Sequence, residues 1–201
     1  DDREDELTTH EVYRILGELK KAGSLILALS GGEIFTRKDA LEIIRRTREL
    51  GMAPRVFTNG TLLREKHADA LADIQVFVVE ITVFSLDPEV HDKVTRIPGS
   101  LERTLRAIRW LRDRDVPVLI KAPLLAGLGD KARAVRDFAA EVGAQCRFDP
   151  TVVARYDLDT SPLGLRVGES ELVEFCVDPG FDAPVDPEGL REPDPDGPMC
   201  A

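Results

Sequence analysis

A Gly-Gly-Glu sequence at the end of an apolar run is the feature of this chain that most directly suggests chemistry. Residues 29–33 read Leu-Ser-Gly-Gly-Glu, and a Thr-Asn-Gly sequence at residues 58–60 follows one strand-and-helix repeat later. Gly31 and Gly32 would let the backbone approach a ligand without obstruction by a Cβ atom, and Glu33 would present a carboxylate from the carboxyl edge of a sheet. Such a carboxylate suits a cationic group of a ligand.

The composition limits the size and the class of the protein. The 201 residues are 43% hydrophobic, which is enough for one sizeable core and scarcely for two, so we expect one domain and a tail. The net charge of −10 disfavours general attraction to nucleic acid or anionic lipid, although it permits a local basic pocket. No apolar run approaches the roughly 20 residues of a membrane span, which predicts a soluble, cytoplasmic protein.

Helical and strand-like patterns alternate along the chain in the order αβαβαβαβαβ. Strands are expected at residues 24–29, 55–58, 75–84, 116–122 and 146–149. Helices are expected to begin near Thr8, near Thr36 and Asp39, at Leu62, at Ser100 and at Asp130. Near-continuous apolar strands joined by amphipathic helices predict a parallel α/β sheet, and right-handed crossovers would curl it into a full or partial barrel. Functional residues should then gather at the carboxyl ends of the strands.

The chain after residue 150 breaks this alternation. Residues 178–198 are crowded with proline, glycine and acidic residues and lack a clear period. This composition predicts a linker or an extension rather than another βα unit. We therefore divide the chain into a core, residues 1–150, and a C-terminal extension, residues 151–201.

Three short motifs together resemble the core of the radical S-adenosylmethionine (radical SAM) enzymes. They are Ser-Gly-Gly-Glu at residues 30–33, Thr-Asn-Gly-Thr-Leu-Leu at 58–63 and Pro-Glu-Val-His-Asp at 88–92. Each motif is weak alone, but their order on the expected strand ends is specific. The resemblance covers roughly residues 8–150. It is closest to the subgroup with a C-terminal SPASM or twitch extension, whose members commonly modify ribosomally made peptides or act as sulfatase maturases.

The resemblance implies a partial (β/α)6 TIM-like barrel whose first strand lies outside this chain. It also implies roles for residues at the strand ends. Gly31, Gly32 and Glu33 are expected at the methionine ammonium of S-adenosylmethionine, where each charged hydrogen bond contributes about 1.5–3 kcal/mol. Further expected cofactor-binding residues are Asn59, Thr82, Arg96, Lys121 and Phe148.

Structural alternatives stay open for these residues. Glu33 could cap the helix that follows it, and Asn59 could simply form an Asn-Gly turn. Arg96 could be a surface charge, and Lys121 could extend from the strand end to solvent. An apolar residue at the position of Phe148 is more often part of the core.

The cysteines depart from the family pattern. The resemblance implies a [4Fe-4S] cluster held by a Cys-x3-Cys-x2-Cys loop, but the only cysteines are Cys146, Cys176 and Cys200, and no combination has that spacing. We expect the cluster ligands before residue 1. Cys200 would then open a SPASM region as a candidate ligand of an auxiliary [4Fe-4S] cluster. A second departure is Ile34, which stands where the family usually has proline.

The implied reaction is reductive cleavage of S-adenosylmethionine to a 5′-deoxyadenosyl radical, which abstracts a hydrogen atom from a substrate. The subgroup implies a peptide substrate, with a leader peptide and an electron donor such as flavodoxin or ferredoxin as further partners. His91 beside Asp92 is expected to order a loop rather than to act as a base, and the residues identify no catalytic acid or base. The main alternative is a relative without a cluster that serves as a peptide-binding or regulatory scaffold. A phosphate-binding βα barrel is disfavoured, because Glu33 would repel the anion.

Overall fold

The computed structural model describes residues 6–154 and 158–177, and within them five parallel strands form one sheet. The strands are β1 (Ile26–Leu29), β2 (Ala53–Thr58), β3 (Val78–Thr82), β4 (Val118–Pro123) and β5 (Gln145–Asp149). Their spatial order follows their order in the chain. Each parallel pair therefore needs a crossover connection, which the helices supply. The predicted parallel α/β sheet is confirmed.

Seven α-helices lie within the described residues. They are α1 (Thr9–Lys21), α2 (Ala40–Glu49), α3 (Glu65–Ile74), α4 (Pro88–Thr95), α5 (Ser100–Arg112), α6 (Gly129–Glu141) and α7 (Glu169–Val177). Short 3₁₀ turns occupy Ile34–Thr36 and Ser161–Leu165. A capping box begins α1 at the expected start: the Thr8 hydroxyl accepts from Glu11 N, and the Glu11 carboxylate accepts from Thr8 N at 2.8 Å.

The main core lies between one face of the sheet and the helices. Fully buried apolar side chains of this core are Ile44, Val56, Leu71, Val79, Ile81, Ile108, Leu111 and Ile120. A smaller cluster of Leu16, Ile43 and Met52 joins α1 to α2. Because side chains alternate along a strand, these apolar positions leave the intervening residues for the other face.

That other face carries most of the polar side chains of the strands, and we call it the charged face. Its residues stand side by side in the strand register, with Phe57 beside Glu80 and with Thr82, Lys121 and Arg147 in one row. The polar and aromatic residues of the charged face that matter below are Arg55, Phe57, Glu80, Thr82, Lys121, Arg147 and Asp149, and the same register places Val78, Leu119 and Gln145 beside them. The polar residues that interrupt the apolar run of β3 thus point away from the helices.

The predicted start of the third helix was wrong, whereas α5 begins at Ser100 as expected. The third helix begins at Glu65 rather than Leu62, because Leu63 N donates to Gly60 O in a turn. Gly99 is the N-cap of α5, and the Ser100 hydroxyl contacts the Asp92 carboxylate instead of capping the helix.

Helix α2 begins at Ala40, directly after Asp39 as expected, whereas the extent of β3 differs from expectation. Asp39 makes no side-chain cap of α2, since its carboxylate accepts from Arg37 and Thr9. The predicted strand 75–84 shortens to Val78–Thr82, because Gln75 adopts a left-handed conformation (φ 56°) that ends α3. Helix α4, over residues 88–95, was not predicted as a helix.

Candidate functional site

Glu33 follows β1 and is held at the carboxyl end of the sheet by neutral hydrogen-bond donors. Its carboxylate accepts from the Thr58 hydroxyl at 2.7 and 2.9 Å, from Asn59 N at 2.8 Å and from Phe35 N at 3.1 Å. No lysine or arginine among the described residues forms an ion pair with it. The carboxylate is therefore fixed in position while its negative charge stays available to a cation.

The capping alternative for Glu33 is present in the structure, together with a second set of contacts. Oε1 accepts from Phe35 N and so caps the 3₁₀ turn Ile34–Thr36. Oε2 accepts from Asn59 N after β2. Thr36, near which the next helix was expected to begin, donates its hydroxyl to Glu33 O at 2.7 Å. Capping thus orients Glu33 without neutralising it.

Gly31 and Gly32 border open space beside this carboxylate. Both are exposed, neither has a positive φ, and a Cβ atom at either position would meet no protein atom within 4 Å. Gly60 is different, because its φ is 76° and a Cβ atom there would lie 3.4 Å from Thr104 Cα. Backbone geometry and packing therefore require glycine at Gly60 but not at the first two positions.

Asn59 contributes its backbone to the site and its side chain to a turn. The Asn59 Oδ1 atom accepts from Thr61 N at 2.8 Å and from Thr61 Oγ1 at 2.6 Å. Its backbone N–H donates to Glu33, and its carbonyl accepts from the Thr104 hydroxyl at 2.8 Å. The turn alternative for the Asn59 side chain is therefore seen directly.

Thr82 and Lys121 are neighbours at the ends of β3 and β4, on the charged face. Lys121 Nζ lies 3.9 Å from Asp149 Oδ2 and 5.8 Å from the centroid of the Phe57 ring. A hydrogen bond from Thr151 N lowers the pKa of the Asp149 carboxyl, and the nearby Lys121 charge adds to this. The Asp149 carboxylate is therefore negatively charged near neutral pH.

Arg96 and Phe148 are placed away from this group. Arg96 ends α4, is exposed, has a φ of 59° and makes no hydrogen bond or ion pair with another described residue. The Phe148 side chain packs on the helix side of the sheet, against a cluster of Leu124, Ala132 and Phe175. Only the backbone of Phe148 could reach a ligand on the charged face.

His91 and Asp92 each order a different loop. His91 is 1% exposed, and its Nδ1 accepts from Phe84 N at 3.3 Å after β3. Burial lowers the pKa of His91, which favours the neutral imidazole. The Asp92 carboxylate accepts from Ser100 Oγ at 2.8 Å and from Leu101 N at 3.0 Å, and so fixes the start of α5.

Two polar side chains were not among the predicted site residues. The Thr58 hydroxyl donates to Glu33, but in the sequence Thr58 was noted only as part of the Thr-Asn-Gly motif. Glu80 is buried on the charged face, where its carboxylate accepts from Arg55 Nε and from Arg147 Nη2, the second at 3.3 Å. A buried carboxylate inside an apolar strand requires a cationic partner, and this signal could have identified Glu80 from the sequence.

The described residues contain no group of histidine, cysteine, aspartate and glutamate side chains placed to hold a metal ion. Cys146 is a free cysteine whose burial raises the pKa of its thiol to about 11. Cys200, the predicted auxiliary-cluster ligand, lies outside the described residues. None of the described helices has the length and apolar character needed to cross a membrane.

Known proteins similar to this chain share one family. The sequence profile of the Radical SAM superfamily matches residues 1–141. The AdoMet-dependent heme synthase of Methanosarcina barkeri is 34% identical over 139 residues, which are 69% of this chain and 40% of that protein. A PqqA peptide cyclase of Rhodopseudomonas palustris is 34% identical over 117 residues, which are 58% of this chain and 31% of that protein. The chain thus spans less than half the length of these curated relatives.

Solved structures share the fold at low sequence identity. SuiB of Streptococcus suis matches with a TM-score of 0.65 and 18% identity, over 83% of this chain and 39% of that chain. The enzyme anSMEcpe, solved with bound AdoMet and a peptide, matches with a TM-score of 0.58 and 16% identity, over 79% of this chain and 48% of that chain. The predicted fold class, of partial TIM-like barrel type, is confirmed. The profile match over residues 1–141 establishes that this chain belongs to the radical SAM superfamily.

Proposed function

We propose that the protein containing this chain cleaves S-adenosylmethionine reductively at a [4Fe-4S] cluster and abstracts a hydrogen atom from a peptide. One observation carries the proposal: the Glu33 carboxylate is fixed by neutral donors and has no cationic partner among the described residues. A buried or half-buried carboxylate is usually paired, so an unpaired one at a strand end suits a cationic ligand.

The residues present fit the methionine end of S-adenosylmethionine. Glu33 would accept hydrogen bonds from the ammonium group, and the open space beside Gly31 and Gly32 would admit the ligand close to the backbone. Thr82 and Lys121, side by side on the charged face, would meet a ribose hydroxyl or the ligand carboxylate. Asn59 would support Glu33 through its backbone N–H. When bound, the cluster and S-adenosylmethionine supply hydrogen-atom abstraction.

A peptide substrate is supported by named relatives and structural neighbours. PqqA peptide cyclase is a relative, and SuiB has been solved with a precursor peptide. The relatives also include a heme synthase and a probable GTP 3′,8-cyclase, so sequence similarity alone does not select the substrate. We further propose that residues 151–201 begin a SPASM-like extension with Cys200 as an auxiliary-cluster ligand. A leader peptide and a flavodoxin or ferredoxin would complete the system in the cytoplasm.

The direct test is the iron and sulfide content of the anaerobically reconstituted protein, with an electron paramagnetic resonance spectrum of the reduced sample. The proposal predicts a [4Fe-4S] signal that changes when S-adenosylmethionine is added. Absence of iron would overturn it and would favour the scaffold without a cluster.

A further inference from the structure

An arginine-lined cavity opens at the end of the sheet opposite to Glu33. It has a volume of about 620 Å³ and lies where β3, β4 and β5 begin. Ten residues line it, among them Arg55, Arg112 and Arg147, and none of the ten carries a carboxylate. We call this space the arginine cavity. It does not share a lining residue with the Glu33 site.

Fixed contacts hold the three guanidinium groups in place. Glu80, whose side chain is 0% exposed, accepts from Arg55 and Arg147. Arg112 donates from Nε to Val142 O at 3.2 Å and from Nη1 to Val116 O at 2.9 Å. Each guanidinium has five N–H donors, so these contacts leave several donors of each arginine without a partner among the described residues. The side chains are thus oriented before any ligand arrives.

The local charge of the arginine cavity is opposite to that of the whole protein. Three guanidinium groups and one buried carboxylate give a local charge of +2 from these four residues, whereas the chain carries −10. Glu80 is buried beneath the arginines, so the accessible groups are cationic. Planar guanidinium groups bind carboxylates through paired N–H donors, with better geometry than ammonium groups.

We propose that the arginine cavity binds an acidic side chain of the peptide substrate. The ligand class rests on the proposed function, while the cationic chemistry of the cavity does not. Arg55 precedes Thr58, the partner of Glu33, by three strand residues, which is about 10 Å at roughly 3.3 Å per residue. An extended peptide covers this distance in about three residues. An acidic residue held here would therefore fix which neighbouring residue of the peptide reaches the cofactor.

The test compares two labelled peptides with blocked termini, Ala-Glu-Ala-Glu-Ala and Ala-Gln-Ala-Gln-Ala, binding to the reconstituted protein without S-adenosylmethionine. Fluorescence anisotropy at one ionic strength should show at least tenfold tighter binding of the glutamate peptide. The net charge of the protein would repel that peptide, so overall charge cannot produce the preference.

Arg147→Gln is the decisive variant, because Arg147 is half-exposed and Glu80 keeps Arg55 as its partner. Arg147→Gln should weaken binding of the glutamate peptide about tenfold and leave binding of the glutamine peptide unchanged. Arg147→Lys should bind the glutamate peptide with an affinity between those of the unsubstituted protein and Arg147→Gln, because lysine keeps the charge and loses the paired donors. Arg106→Gln, on the exposed surface of α5, is the matched control and should change neither affinity.

Three results would overturn the proposal: equal affinity for the two peptides, no effect of Arg147→Gln, or displacement of the peptide by inorganic phosphate that binds more tightly. S-adenosylmethionine affinity, measured on the same samples, separates this proposal from the proposed function. If the protein prefers the glutamate peptide but does not bind S-adenosylmethionine, the proposed role of the arginine cavity is supported and the proposed function is refuted. If it binds S-adenosylmethionine but shows no preference between the peptides, only the proposed role of the arginine cavity is refuted.

Discussion

Glu33 and Glu80 are carboxylates of the same sheet with opposite surroundings. Glu33 is half-buried at the strand end and accepts only from neutral N–H and O–H groups. Glu80 is fully buried in the middle of β3 and accepts from two arginines. Neutral donors orient a carboxylate and leave its charge for a ligand, whereas the arginines already neutralise Glu80. The charge of the partners, more than the number of hydrogen bonds, therefore distinguishes the candidate binding carboxylate Glu33 from the paired carboxylate Glu80.

The largest effect is expected when the ion pair of Glu80 is broken. Arg55→Met should lower the free energy of unfolding by about 3 kcal/mol, because it leaves a buried carboxylate with one partner at 3.3 Å. Urea denaturation measures this change. The double variant Arg55→Met/Glu80→Met should recover part of the loss, since no buried charge remains. Arg46→Met, which removes an exposed pair with Glu49, should cost less than about 1 kcal/mol. Equal losses for Arg55→Met and Arg46→Met would contradict the assignment of Glu80.

Glycines near the Glu33 site give a matched pair of variants. Gly60→Ala should destabilise the fold by about 2 kcal/mol, because alanine must adopt a positive φ there and contact Thr104. Gly32→Ala should change stability by less than about 0.5 kcal/mol, since its Cβ meets no protein atom. Thermal unfolding measures the stability of each variant, and calorimetric titration with S-adenosylmethionine measures its ligand affinity. Unchanged ligand affinity in Gly32→Ala would show that the space beside Glu33 is not the ligand site.

Removing one neutral donor tests how Glu33 is oriented. Thr58→Val keeps the shape of a buried side chain and deletes the hydroxyl that donates to Glu33. Because that hydroxyl also accepts from Gly60 N at 3.0 Å, two hydrogen bonds are lost, and the expected loss of stability is about 2 kcal/mol. Affinity for S-adenosylmethionine should fall with it, because the carboxylate loses one of its three donors. If Thr58→Val binds S-adenosylmethionine with unchanged affinity, the N–H groups of Asn59 and Phe35 are enough to orient Glu33.

A smaller effect concerns His91, a buried group that is held neutral. Burial lowers the folded-state pKa of His91 below its ordinary value of 6.5, so the unfolded chain binds more protons in that range. The contribution of His91 to the free energy of unfolding is therefore fully present above pH 6.5 and is lost as the pH falls below that value. His91→Asn keeps an acceptor for Phe84 N and should flatten the dependence of unfolding free energy on pH between 7 and 5. If unfolding free energy depends on pH in the same way in both proteins, His91 does not contribute to the pH dependence of stability.

The alternation of strands and helices could be read from the sequence, because each element carries its own periodic apolar stripe. Helix α4 could not, since its residues 88–95 form little more than two turns and begin with a proline that also fits a loop. Gly-Gly-Glu indicated the candidate site, because glycines before an acidic residue at a strand end are a local signal. The hydroxyl of Thr58 was missed because its contact with Glu33 depends on how β1 and β2 pair.

The register of the strands also explains why the partners of Glu80 were not predicted. Arg55, Glu80 and Arg147 belong to three strands separated by 25 and 67 residues, and only their parallel alignment brings them together. The sequence showed that a polar residue inside the run at β3 needed a partner, but it did not indicate which cation would supply it. Arg96 was predicted from its distance to a His-Asp motif. In the structure, it lies exposed at the end of α4.

In the proposed function, the charge of Glu33 binds the ammonium of S-adenosylmethionine. We would first measure the dissociation constant of S-adenosylmethionine for the reconstituted protein and for Glu33→Gln, with the exposed Glu49→Gln as a matched control. We expect at least tenfold weaker binding in Glu33→Gln, from the loss of one charged contact, and no change in the control. An unchanged dissociation constant in Glu33→Gln would contradict it.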